Sequence, residues 1–188
     1  VGMVKRIVRR TFIIELIGAV LLAFRFCKDM GFVRGVYNAV FHSVSAFCNA
    51  GFDLMGRYES SSSLSVFKYD AYVNIIIMSL IVIGGLGFVV WDDIINNKWH
   101  FSKYKLHSKI VLTTTAILIV VPAIMFFLFE YNHAFAGESI GNRILMSMFS
   151  AVTPRTAGFF TYDLNTLSDS GGLLTVILMV IGGSSGLY

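Results

Sequence analysis

The sequence predicts an all-α membrane protein, built as two parallel repeats of helix, short re-entrant helix and helix. Three observations lead there. Of 188 residues, 56% are apolar and 14% charged, against about 25% charged in soluble domains. Mean hydropathy is +0.74. Two short stretches then repeat one another: residues 41–53 read FHSVSAFCNAGFD and residues 148–159 read MFSAVTPRTAGF. Placing Gly51 on Gly158 puts Ala50 on Ala157, Phe52 on Phe159 and Ser43 on Ser150. Finally, each stretch lies between two long apolar segments, and an internal repeat of this kind governs the fold.

The elements follow in chain order. The first apolar span covers residues 11–27, with Glu15 and Arg25 inside it. Basic residues precede it, but Phe24, Arg25 and Phe26 stand where a signal peptide would need small residues, so it reads as a true span. The second covers residues 72–91, around the run Ile75 to Ile83. The third, residues 110–129, contains Pro122, where a kink is expected. The fourth begins near Leu173 and reaches Tyr188. A bilayer needs roughly 20 apolar residues per helix, and the second and third spans meet that length. Two pieces between them, residues 36–47 and 141–152, are too short to cross and long enough to dip in and return. Asn142 is the expected N-cap of the later one. The two units are residues 1–97 and 98–188.

Lysine and arginine set the orientation. Lys5, Arg6, Arg9 and Arg10 precede the first span, and Lys98, Lys103, Lys105 and Lys109 follow the second. Both regions are expected to be cytoplasmic. The two re-entrant pieces then enter from the same side, which makes the repeats parallel rather than inverted.

Each short piece ends just before a glycine loop, Asn49-Ala-Gly or Thr156-Ala-Gly. Glycine permits backbone turns that place carbonyls along an axis. A helix C-terminus aimed at the membrane centre favours a cation, and rings of carbonyls replace an ion's hydration shell. Thr-Ala-Gly-Phe is chemically similar to the Thr-Val-Gly-Tyr of potassium-channel filters.

At this point a family resemblance becomes specific. Residues 41–54 and 150–164, with the Gly/Ser run 182–186, resemble the Trk/Ktr/HKT superfamily of potassium and sodium transporters, most nearly the membrane subunit of bacterial Ktr-type systems. Asn-Ala-Gly-Phe-Asp is similar to that family's second repeat and Arg-Thr-Ala-Gly-Phe to its third. The resemblance implies four helix–pore-helix–helix repeats around one pore, each like a potassium-channel subunit. Two of an expected four are present, so the chain reads as a fragment carrying the second and third. It implies a potassium filter at Asn49, Ala50, Gly51, Phe52, Thr156, Ala157, Gly158 and Phe159. Glycine at 51 and 158 is associated there with potassium preference. It also implies an intramembrane gate at Gly182, Gly183, Ser184, Ser185 and Gly186, and such a run is poor helix material. The implied activity is potassium transport across the cell membrane, with sodium an open coupling ion and no cofactor in this chain. The implied partners are the lipid bilayer, the missing repeats, a second copy in a homodimer and a cytoplasmic nucleotide-binding regulatory subunit.

The remaining signals have plainer readings. Gly84-Gly-Leu-Gly87 lies mid-span, where close helix packing outweighs a nucleotide loop. Glu15 is expected to pair with Arg9 or Arg10 near the interface. Asp53 either draws cations to the mouth or anchors the loop. Arg155 is expected to be a structural clamp, since a bare positive charge would repel the ion. His42 reads as a packed helix residue, and His100, His107 and His133 form no metal pattern. Cys27 and Cys48 read as free thiols. Ser60 to Ser63 reads as an outer loop. No nucleophile–base pair, phosphate loop or metal motif supports an enzyme, and no basic-aromatic stripe supports nucleic-acid binding. The alternatives are a non-conducting structural subunit and a sodium-coupled secondary transporter with a broken-helix site.

Overall fold

The computed structural model describes residues 2–57, 63–97 and 100–182. The described residues are helical, with connecting turns and no strand. Seven α-helices follow in order: α1 (Gly2–Met30), α2 (Phe32–Phe47), α3 (Ala71–Gly85), α4 (Phe88–Asn97), α5 (Leu106–Phe129), α6 (Ile140–Val152) and α7 (Asp169–Ile181).

The first helix outruns its predicted span at both ends. Gly31, with φ 80°, separates it from α2. The chain doubles back there: the Ser43 hydroxyl donates to the Glu15 carbonyl at 2.7 Å, 28 residues away. After the connecting loop, Asp70 caps α3 by accepting from the Val73 N–H. The same carboxylate takes the Arg25 guanidinium, tying the end of α1 to the start of α3.

The second predicted span is not one helix. Residues 71–85 and 88–97 form two helices bent by 100°. The sequence Gly84-Gly-Leu-Gly87 explains the break. Gly87 has φ 82°, a conformation that ordinary side chains resist, and three glycines in four positions leave little helix propensity. Gly84 also supplies the close approach its small size suggested, because a Cβ there would overlap the carbonyl oxygen of Phe47 at the end of α2. Trp91, expected inside a straight span, lies on α4 beyond the bend.

In the second half, α5 runs through Pro122 as one helix, and 11% of its apolar window is buried. It is the one described helix that is long and apolar enough to cross a membrane by itself; α3 and α4 meet the test only as a bent pair. The N-cap of α6 is Ser139, whose oxygen accepts from the Asn142 N–H at 3.3 Å. Asn142 is therefore the capped residue, not the cap, because Ser139 sits at the helix edge three positions earlier. Ser168 caps α7, which begins at Asp169, four residues ahead of the start expected near Leu173.

Two apolar clusters hold these helices. One gathers Leu22, Phe26, Phe47, Phe67 and Ile77 from the first half and takes in Phe149, Val152, Ala157 and Phe159 from the second. The other joins Phe126, Phe135, Met146, Tyr162 and Leu178. The α6 end and the loop after it are thus seated on the first half's core. Contact between α3 and α6 completes that join.

Candidate functional site

The two glycine loops start from the same device at a helix end. At the end of α2 the Ala50 N–H turns back to the Ser45 carbonyl at 2.8 Å and the Asn49 N–H to the Ala46 carbonyl at 3.2 Å. Asn49 has φ 53° and Gly51 φ 71°. At the end of α6, a single turn of 3-10 helix (Thr153–Arg155) intervenes. The Ala157 and Gly158 N–H groups both reach the Thr153 carbonyl at 3.0 Å, and Gly158 has φ 81°. Each loop is then pinned by a hydroxyl on its own helix end. Ser45 Oγ donates to the Phe52 carbonyl and Thr153 Oγ1 to the Phe159 carbonyl, both at 2.7 Å.

The loops meet. A Cβ on Gly51 would overlap the carbonyl oxygen of Ala157, so the two backbones are in direct contact there. Thr156 Oγ1 donates to Asn49 Oδ1 at 3.0 Å, across 107 residues of sequence. Among the described residues, none donates to the carbonyls of Asn49, Ala50, Gly51, Thr156 or Gly158. The arrangement thus brings all eight sequence-predicted loop residues into two facing turns and leaves several carbonyls without donors among the described residues. The turns are not equivalent: Phe159 is 1% exposed, whereas Phe52 is 71% exposed.

Surrounding groups fix this geometry. His42 is fully buried; Nδ1 lies 2.7 Å from the Asn38 carbonyl, to which it donates, and the ring stacks at 6.5 Å from that of Phe159. It is a packed residue, as its sequence context suggested. Asp53 anchors its loop, its Oδ1 accepting from the Met55 N–H at 3.0 Å. Ser63, expected in an outer loop, is instead buried, and its Oγ accepts from the Phe160 N–H at 3.4 Å. The Leu64 N–H donates to the Phe160 carbonyl at 2.9 Å. Ser60 to Ser62 lie outside the described residues. Farther along the same strap, Lys68 Nζ meets Glu138 Oε1 at 2.8 Å and Tyr69 Oη meets it at 2.7 Å. The Lys68 ammonium and then the Tyr69 hydroxyl hold the Glu138 carboxyl below the usual glutamate range.

Two expectations change, and one aligned pair differs in its bonds. Glu15 does not pair with Arg9 or Arg10; its Oε1 faces Cys48 Sγ at 3.7 Å, while Arg10 pairs with Asp92 on α4. The bend after Gly85 brings α4 back to the start of α1 and supplies that competing partner. Arg155 is 9% exposed and makes no ion pair or side-chain hydrogen bond among the described residues, so no clamp is formed by it there. Ser43 and Ser150 do not play matching roles. Ser43 bonds to α1, whereas Ser150 donates to the Met146 carbonyl and shares a 2.8 Å bond with Tyr162 Oη. The matching pair is Ser45 and Thr153, which the sequence alignment missed because Ser45 precedes its glycine by six residues and Thr153 precedes its own by five. A hydroxyl in the last turn of each short helix was the available signal. At the predicted gate, Gly182 ends α7 with φ 66° and its N–H on the Leu178 carbonyl at 3.0 Å. Gly183, Ser184, Ser185 and Gly186 lie outside the described residues.

A second device was invisible in sequence. Glu130, fully buried at the end of α5, accepts from Ser168 Oγ at 2.6 Å, from the Ser168 N–H at 3.2 Å and from the Ala134 N–H at 3.3 Å. It latches the end of α5 to the start of α7. Gly171 leaves it room, since a Cβ there would overlap Glu130 Oε1.

Comparison with known proteins places this geometry in a family. The chain matches the family model TrkH, described as cation transport protein, over residues 1–187. It is 40% identical over 176 residues to the potassium/sodium uptake protein NtpJ of Enterococcus hirae, covering 93% of this chain and 38% of that protein. It is 35% identical over 187 residues to the Ktr system potassium uptake protein B of Bacillus subtilis, covering 98% of this chain and 41% of the relative. A 36% identity over 187 residues links it to the protein of the same name from Vibrio alginolyticus, covering 97% and 40%. The chain therefore spans about two fifths of the length of the curated relatives it matches. A match that runs almost from end to end, over both glycine loops and the helices that carry them, shows that this chain belongs to the TrkH family of cation transport proteins.

Proposed function

We propose that this chain supplies two of the four walls of a potassium-conducting pore in the cell membrane. The two units, each a helix, a pore helix with its glycine loop and a second helix, are its second and third repeats. Asn49 to Phe52 and Thr156 to Phe159 form two sides of the selectivity filter, and the Gly/Ser run from Gly182 forms the gate below it. The observation that carries this reading is the direct meeting of the two loops, Gly51 against the Ala157 carbonyl, at the ends of two short helices. Such helix ends favour a cation, and loop carbonyls without donors among the described residues are suited to take the place of its hydration water.

The relatives support potassium as the ion, since they are named potassium uptake proteins; one is named for potassium and sodium, which favours sodium as a coupled or competing ion. Three relatives are named as parts of a Ktr system, which supports a partner subunit; the family resemblance makes that partner a cytoplasmic nucleotide-binding regulator. We place the N-terminus in the cytoplasm, on the density of Lys and Arg in the first ten residues and in 98–109, and a homodimer as the working unit. The exposed apolar faces of α1 and α5, among them Phe12, Leu16, Phe24, Ile117, Val121 and Leu128, fit contact with lipid or with the other walls.

The test uses the full-length protein in a cell lacking its own potassium uptake. Gly51→Ser and Gly158→Ser are expected to lower potassium uptake and raise sodium flux while protein abundance in the membrane holds. Unchanged uptake and unchanged ion preference in both variants would mean that these loops are not a filter.

A further inference from the structure

We propose that Trp91 is a positioning residue for the first glycine loop, which couples the bent helix α4 to the end of α2. The proposal rests on the filter reading above and goes beyond it to the control of that filter's shape.

Where α3 stops, its last carbonyls lose their helical partners. Ile83 is one of them, and its oxygen accepts from the Trp91 indole N–H at 2.9 Å, with the Leu86 N–H at 3.4 Å beside it. The Trp91 N–H itself reaches back to the Gly87 carbonyl at 3.3 Å. A residue on one side of the bend therefore satisfies the helix on the other. Tryptophans in membrane proteins commonly sit exposed at the lipid–water interface. Trp91 is 6% exposed, so its ring serves an internal contact.

That contact is Phe47. The Trp91 and Phe47 rings meet edge-to-face at 5.4 Å, and Phe88 closes the other side at 5.6 Å. Phe47 is the last residue of α2, and its carbonyl is pressed against Gly84. Asn49, two positions on, holds φ 53° and accepts the Thr156 hydroxyl. From α4 to the meeting of the two loops the path is short: ring packing from Trp91 to Phe47, the backbone from Phe47 through Cys48 to Asn49, and a hydrogen bond from Thr156 to Asn49. The next residues of α4 are fixed in turn. Asp92 pairs with Arg10 of α1, and Asp93 accepts from the Lys105 N–H at the start of α5 at 2.7 Å. A shift of α4 about Gly87 would carry the Trp91 ring, and with it the residue that sets the entry to the loop. Small displacements of that kind are costly where geometry sets selectivity.

The experiment compares potassium and sodium flux in the reconstituted full-length protein. Trp91→Leu is expected to reduce the preference for potassium over sodium roughly tenfold, with Trp91→Phe recovering most of it. Phe47→Leu should give the same shift, and Trp91→Leu with Phe47→Leu no more than either alone. An ion preference equal to the unaltered protein's in Phe47→Leu, or additive losses in the double variant, would overturn the proposal. Phe47→Leu alone carries the test if Trp91→Leu fails to reach the membrane. Gly51→Ser serves as the control. If it and Gly158→Ser both leave uptake and preference unchanged, the filter reading fails; if they change preference while Trp91→Leu and Phe47→Leu do not, only the coupling through Trp91 fails.

Discussion

Gly51 rests its α-carbon against the carbonyl oxygen of Ala157, so closely that a single added carbon would occupy the oxygen's place. Gly158, its counterpart by sequence, has φ 81° but faces open space. One glycine is required for both its conformation and its size, the other for conformation alone.

Gly51→Ala and Gly158→Ala should therefore differ. Each places a side chain in the left-handed region, at a cost of about 1–2 kcal/mol. Only Gly51→Ala also drives a Cβ into a backbone atom that cannot swing aside. Thermal unfolding of the full-length protein in detergent should show the larger loss for Gly51→Ala, and uptake should follow the same order. Equal losses would contradict the contact.

The hydroxyl bridge between the loops makes a second prediction. Thr156→Val keeps the side-chain shape and removes the donor to Asn49 Oδ1. The expected stability loss is about 1 kcal/mol, with Thr156→Ser restoring it. A melting curve unchanged in Thr156→Val would show that the bridge contributes nothing.

Glu130 supplies a third. Glu130→Ala leaves the Ser168 and Ala134 donors without their acceptor and opens a cavity, an expected loss of about 2–4 kcal/mol. Gly171→Ala should destabilise the same join from the other side. Hydrogen exchange at the start of α7 is the direct readout, and unaltered protection there in both variants would refute the latch.

The Lys68–Glu138 pair should respond to pH at both limits. Its carboxyl is held below the ordinary 4.5 by Lys68 and then Tyr69. A depressed acid contributes stability that is present above its unfolded pKa and lost as pH falls through the folded one. For Lys68, burial opposes the charge, but the bonds to Glu138 and Tyr69 outweigh it and the net pKa rises above 10.5. That contribution is present below 10.5 and lost as pH climbs through the raised folded value. Glu138→Gln should thus cost under about 1 kcal/mol at neutral pH, and the difference should vanish in acid below the glutamate range. A gap that persists in acid would assign the effect to packing.

The repeated loops and the two short helices were legible because they depend on local signals: a glycine at a turn, and an apolar run of limited length. Residues 36–47 and 141–152 end where α2 and α6 end, though α2 begins four residues earlier, at Phe32. The break at Gly87 was harder to see. The apolar run continues through Val89, Val90 and Trp91, and hydropathy does not register a change of direction. Three glycines pack as well as they bend, so the same letters supported either outcome. Arg10 with Asp92, and Glu130 with Ser168, were out of reach because their partners lie 82 and 38 residues away. Ser139 and Asn142 are both good caps, and only the backbone's turn decides which one acts.

The hydroxyl pins span different lengths of chain: seven residues from Ser45 to Phe52, and six from Thr153 to Phe159. The two similar units are therefore not interchangeable parts. Moved into the other's place, either loop would arrive one residue long or short between fixed points. In the proposed pore the two walls are thus distinct sectors, in which the order of the halves matters as much as their presence.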